Sequence, residues 1–146
     1  MRRFAVLILA ALALGACSKP APPAGRWAGQ YEARDILVDS RLEIEKDGQV
    51  RVSAPYLEDV GDASDEDRAG MRARLASDLA EGWDEVAARP MDFDGRVFRK
   101  PGGVAPQIEW NPDQQRMTIV VYFGRRPALR FVLRAVDDFT ADPWAR

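Results

Sequence analysis

Apolar and polar side chains alternate with a period of two over much of this chain. In residues 25–31, Trp27, Gly29 and Tyr31 share one face and Arg26, Ala28 and Gln30 the other, which predicts a first strand with a buried aromatic side. Residues 41–45 alternate again, Lys46-Asp47-Gly48 supplies turn chemistry, and residues 49–53 resume the alternation. Asp-Gly between two alternating runs signals a hairpin, because glycine takes the positive φ that a tight turn needs. The pattern sends Leu42, Ile44, Val50 and Val52 to the core and Arg41, Glu43, Glu45 and Arg51 to solvent, with residues 36–38 lengthening the first strand of the pair.

The period then changes. Asp59, Asp62, Asp65, Glu66 and Asp67 make an acidic stretch whose spacing does not match an acidic calcium loop. Asp62 or Ser64 stands instead where a helix N-cap is expected, and the carboxylates that follow complement the helix dipole. Over residues 65–88, Met71, Leu75, Leu79, Trp83 and Val86 form one stripe opposite Arg74, Asp78, Glu81, Asp84 and Glu85. That spacing predicts a long amphipathic helix packed on the protein's own sheet, since its polar face is too acidic for a membrane surface. Arg72 interrupts the stripe and must reach its edge or pair with an acid, and Pro90 stops the helix.

Strands return over residues 95–99, 107–110, 116–123 and 128–136, separated by turns rich in Gly, Pro, Asn and Asp. Residues 118–123 are apolar on both sides, which predicts a central strand or one beneath the helix. In the last strand Leu129, Phe131 and Leu133 face inward while Arg130 and Arg134 face outward, and Trp144 is expected to pack back on the sheet. The fold class that follows is α+β: one domain over residues 26–146, a twisted antiparallel sheet or partly closed small barrel of about seven strands, with one long helix inserted between the third and fourth.

Ahead of this domain, Met1-Arg2-Arg3 precedes an apolar run through Ala13 that has the layout of an export signal and is too short to span a bilayer. Leu14-Gly15-Ala16-Cys17 closes the run and resembles the lipobox of bacterial lipoproteins. The resemblance implies cleavage between Ala16 and Cys17, so that residues 1–16 are a signal peptide. It also implies a diacylglycerol on the Cys17 thiol and a further acyl group, such as palmitate, on the new amino terminus. Two or more chains anchor a protein stably. Ser18 after the cysteine, in place of Asp, implies the periplasmic face of the outer membrane. Residues 17–25, with Pro20, Pro22 and Pro23, read as a tether reaching roughly 25 Å when extended. Gly25-Arg26-Trp27 also resembles the G-x-W opening of lipocalin-like barrels, which implies an apolar ligand in the barrel.

Composition narrows the chemistry. Cys17 is the only cysteine and there is no histidine, so an intrachain disulfide, Ser-His-Asp and Cys-His catalysis and histidine zinc sites drop out. The expectation is a non-enzymatic protein with no catalytic residue, metal or cofactor assigned. A carboxylate-pair hydrolase is a third reading, for which no pair is singled out. The 21 Lys plus Arg against 23 Asp plus Glu argue against a nucleic-acid partner. Basic residues concentrate late in the chain and predict a basic strand face, with Arg99, Lys100, Arg125, Arg126, Arg130 and Arg134 as candidate anion or partner contacts. Arg99 and Lys100 lead into Pro101-Gly102-Gly103, whose amides could cradle an anion. Fitting partners are an acidic envelope protein, a lipid A phosphate or peptidoglycan carboxylates. The alternative is a small carrier or sensor of an apolar ligand, with Trp27, Trp83 and Trp110 lining a barrel cavity.

Overall fold

The computed structural model describes residues 20–33, 35–102, 107–123 and 126–140. Ala16, Cys17 and Trp144, and with them the signal and lipobox, lie outside the described residues. The strands are β1 (Gly25–Ala33), β2 (Ile36–Ile44), β3 (Gln49–Ser53), β4 (Tyr56–Glu58), β5 (Arg89–Pro90), β6 (Asp92–Phe93), β7 (Val97–Arg99), β8 (Gln107–Asn111), β9 (Arg116–Phe123) and β10 (Arg126–Val136). The helix α1 (Asp65–Gly82) comes between β4 and β5.

All pairings are antiparallel, in the order β5-β3-β2-β1-β10-β9-β8-β7-β6. The two strands at opposite ends of this path, β5 and β6, are separated in the chain by Met91 alone. Neighbouring Cα atoms are about 3.8 Å apart, so the sheet must curl until its ends meet. The result is a nearly closed barrel of nine strands, larger than the seven that alternation predicts. The additional barrel strands, β5 and β6, are two residues each, too short to display a period. The β4 strand continues β3 along β2 after Pro55, whose missing N–H interrupts the ladder.

Inward positions build one core around Trp27, Leu42, Ile44, Phe98, Ile108 and Met117. The outward face of β2 is also covered. Leu37 packs with Val60 and with Leu75 of α1 in a second small cluster. Ser64 caps α1 by accepting from the Asp67 N–H at 3.2 Å, and Asp65, Glu66 and Asp67 occupy the first turn, as the sequence predicts.

The helix ends at Gly82, short of residue 88. Trp83–Glu85 tightens into a 3₁₀ turn and Val86 is extended. Arg51, expected in solvent, meets this turn. Its guanidinium donates to Val86 O at 2.8 Å, Trp83 O at 3.1 Å and Asp84 O at 3.3 Å, and lies 5.2 Å from the Trp83 ring. An arginine from β3 thereby satisfies terminal carbonyls for which the last helical turn has no basic residue of its own.

Arg41 departs further from expectation, at 1% exposed. Its Nη2 donates to Ala76 O of the helix at 3.3 Å and to Thr140 O of the C-terminal segment. Burial lowers its pKa, while Asp39 and Asp138 oppose the shift. Alternation correctly placed Arg41 opposite the barrel core, but that side of β2 lies under α1 and the C-terminal segment. There Phe139 meets Trp83 edge-on at 4.8 Å. Arg72 pairs with Glu32 at 2.5 Å, beside Arg68 at 2.9 Å. The β9 strand runs between β8 and β10 with Ile119 and Val120 both buried, and the helix contacts β2 instead of β9.

Gly29 has β10 packed directly against its Cα: a Cβ there would come within 2.3 Å of Val132 O. Gly29→Ala should therefore cost about 1–3 kcal/mol of unfolding free energy, measured by urea denaturation; an unchanged midpoint would refute the close approach.

Candidate functional site

The barrel is filled at one end and hollow at the other. Where β1 begins and β10 ends, Trp27 and Trp110 meet edge-on at 5.2 Å and plug the interior. At the opposite end, where β2 begins and β9 turns back toward β10, the side chains enclose a cavity of about 370 Å³. Its wall comprises Ile36 and Val38 of β2, Ala54 after β3, Val121 of β9, and Leu129 and Phe131 of β10, with Tyr56 and Glu58 of β4 at the rim.

Local sequence explains the hollow. Three strands contribute inward side chains of modest size here, whereas two indoles fill the other end. The β9–β10 register shifts between Pro127 and Leu129, a bulge of the kind that reshapes barrel rims. Tyr56 stands 57% exposed, an apolar ring at the mouth with little packed against it. Glu58 is the one lining residue charged at neutral pH. Such a wall can exclude water from a hydrocarbon group. Among the described residues, no three His, Cys, Asp or Glu side chains gather as a metal site.

The structure brings together only some of the predicted site residues that it describes. Trp27 and Trp110 form the plug, away from the cavity, while Trp83 lies outside the barrel against Phe139. The three tryptophans therefore line no common cavity, because the helix carries Trp83 onto the outer face. The actual lining is mostly apolar, and its signal is present only as ordinary core alternation.

Of the basic candidates, Arg130 and Arg134 border one recess, whereas Arg99 and Lys100 lie elsewhere. Arg99 is held by Asp94 at 2.5 Å, and Lys100 borders a separate concavity near β3 and β5. Gly102 takes φ +68° as a turn residue, and Gly103 lies outside the described residues. Arg125 also lies outside them, and Arg126 enters as the backbone start of β10. Arg130 and Arg134 do project from the outer face of β10, where Arg130 pairs with Glu109 across β9. Arg116, a residue not singled out from the sequence, stands directly across from Arg134. Strand register alone makes that pair visible.

No family model, curated protein or solved structure matches the chain. The geometry of its own residues therefore carries the functional argument.

Asp94 illustrates how a basic candidate is neutralised locally. Its carboxyl is held at about 2, chiefly by the Arg99 side-chain bond and then by the backbone N–H groups of Arg96 and Val97. A depressed carboxylate stabilises the fold above its unfolded pKa of about 4 and loses that contribution as the pH falls through about 2. In Arg99→Gln the Asp94 titration, followed by carboxyl carbon NMR, should move up toward 3.8; a midpoint that stays put would show that Arg99 is not its main partner.

Proposed function

We propose that this chain is a lipid-anchored envelope protein whose barrel holds a small apolar ligand at the end remote from its anchor. The observation that carries the reading is the apolar cavity lined by Ile36, Val38, Ala54, Val121, Leu129 and Phe131. Its volume lies within the range of small-molecule sites, roughly 300–1,000 Å³, which are mostly apolar with few polar groups. A barrel of this size has room beyond what its side chains fill.

The anchor belongs to the same proposal. The lipobox resemblance supplies Cys17, and the chain enters β1 at Gly25, on the plugged end. A tether leaving there points the open mouth away from the bilayer, suited to receiving a ligand from the periplasm or from another protein. The barrel acts in this reading as a carrier or sensor without covalent chemistry. The competing reading, an interaction module acting through a basic strand face, draws on Arg130 and Arg134, which share a recess on the outer face of β10, while Arg99 and Lys100 lie elsewhere.

A fluorescent hydrocarbon probe should bind the protein saturably. Ala54→Trp, which puts an indole into the cavity, should weaken binding at least tenfold, or about 1.4 kcal/mol, at unchanged unfolding midpoint. Saturable binding insensitive to that substitution would eliminate this site. Separately, Cys17→Ser should move the protein from the membrane fraction to the soluble fraction; retention in membranes would eliminate the anchor.

A further inference from the structure

We propose that the outer face of β9 and β10 carries a phosphate-binding site built on Arg116 and Arg134, independent of the apolar cavity. The two residues are direct cross-strand partners. Their chain neighbours Met117 and Leu133 are fully buried in the core, and both arginines are exposed on the outer face. Side chains paired in this way stand about 5 Å apart at Cβ, where two like charges repel.

Nothing described on the protein relieves that repulsion. Arg26, Arg51, Arg68, Arg72, Arg74, Arg99 and Arg130 each have a carboxylate within 4 Å, whereas Arg116 and Arg134 have none among the described residues. The acid closest in register, Glu109, is engaged by Arg130. The net positive charge of the patch therefore resides on the opposed pair.

The surface beside them is concave. Hydrogen-bonded pairing of β1 with β10 runs from Arg26 to Ala28, and beyond it a recess of about 520 Å³ opens between the strands. Arg116, Arg130 and Arg134 line it together with Val132 and with Gln30, which adds a side-chain amide from β1. Two planar guanidinium forks and an amide around one recess match the oxygens of a phosphate monoester, which accepts bidentate bonds from arginine and cancels two positive charges. The recess lies on the outer face of the barrel, so a phosphate carried by a lipid headgroup and one carried by a soluble molecule can both reach it.

The test is a titration of the protein with inorganic phosphate at low salt, following the arginine side-chain N–H signals by NMR. It is paired with flotation on phosphatidylcholine vesicles with and without phosphatidic acid. Saturable shifts at Arg116 and Arg134 are expected, weakened about tenfold in Arg116→Gln or Arg134→Gln and unchanged in Arg96→Gln. These exposed variants should keep the backbone amide spectrum of the core. Flotation that requires phosphatidic acid and is lost in the double variant assigns the phosphate to a membrane lipid; shifts without flotation assign it to a soluble phosphorylated ligand. Absence of both, or phosphate shifts and flotation that survive in the double variant, overturns the proposal. Ala54→Trp should leave the phosphate shifts unaltered, which separates this site from the apolar one.

Discussion

The constraint on which the rest of the molecule depends is the connection through Met91. One residue joins the two terminal strands of the sheet, β5 and β6, and a connection that short permits only a sheet rolled back on itself. Closure turns period-two alternation into an inside and an outside. It collects side chains from distant parts of the chain, such as Trp27, Phe98 and Met117, into one core.

The barrel alone does not account for the outer layer. Helix α1 covers β2, and the two layers are joined by arginines as well as by apolar contacts. Arg41 and Arg51 reach from the sheet to backbone carbonyls of the helix and its terminal turn. A guanidinium suits this role because its charge persists when buried and its several N–H groups satisfy more than one carbonyl. Removing such a residue would take a side-chain donor away from a partly dry layer. Phe139 and Thr140 complete the cover, so the C-terminal segment contributes to the second layer.

The two ends of the barrel differ for a packing reason. Two indoles meeting edge-on fill the end at which β1 begins, and smaller side chains around a bulged strand leave the other end hollow. The proposed ligand site follows from this asymmetry. The proposed phosphate site follows from a different one, the loss of β1–β10 pairing beyond Ala28.

Much of this was legible in the residues. Alternation around Asp47-Gly48 specified the β2–β3 hairpin, with Gly48 at φ +88°, and the inward set Leu129, Phe131 and Leu133 was read correctly. Ser64 and the acids after it marked the helix start because capping is a local interaction. The apolar stripe runs on past Gly82 while the backbone does not, and the turn that follows α1 is held by Arg51, 32 residues before Trp83 in the chain. Arg41 was misread for a related reason: alternation reports which side of a strand a residue occupies, not what covers that side.

The sequence by itself determined the antiparallel strands, the capped amphipathic helix and the inward and outward sets, since each depends on neighbours a few residues apart. Only the tertiary structure decided that nine strands close the barrel, that Trp83 parts company with Trp27 and Trp110, and that Arg116 opposes Arg134. Those are matters of register, closure and layer contact between residues far apart in the chain, and a local pattern holds no record of them.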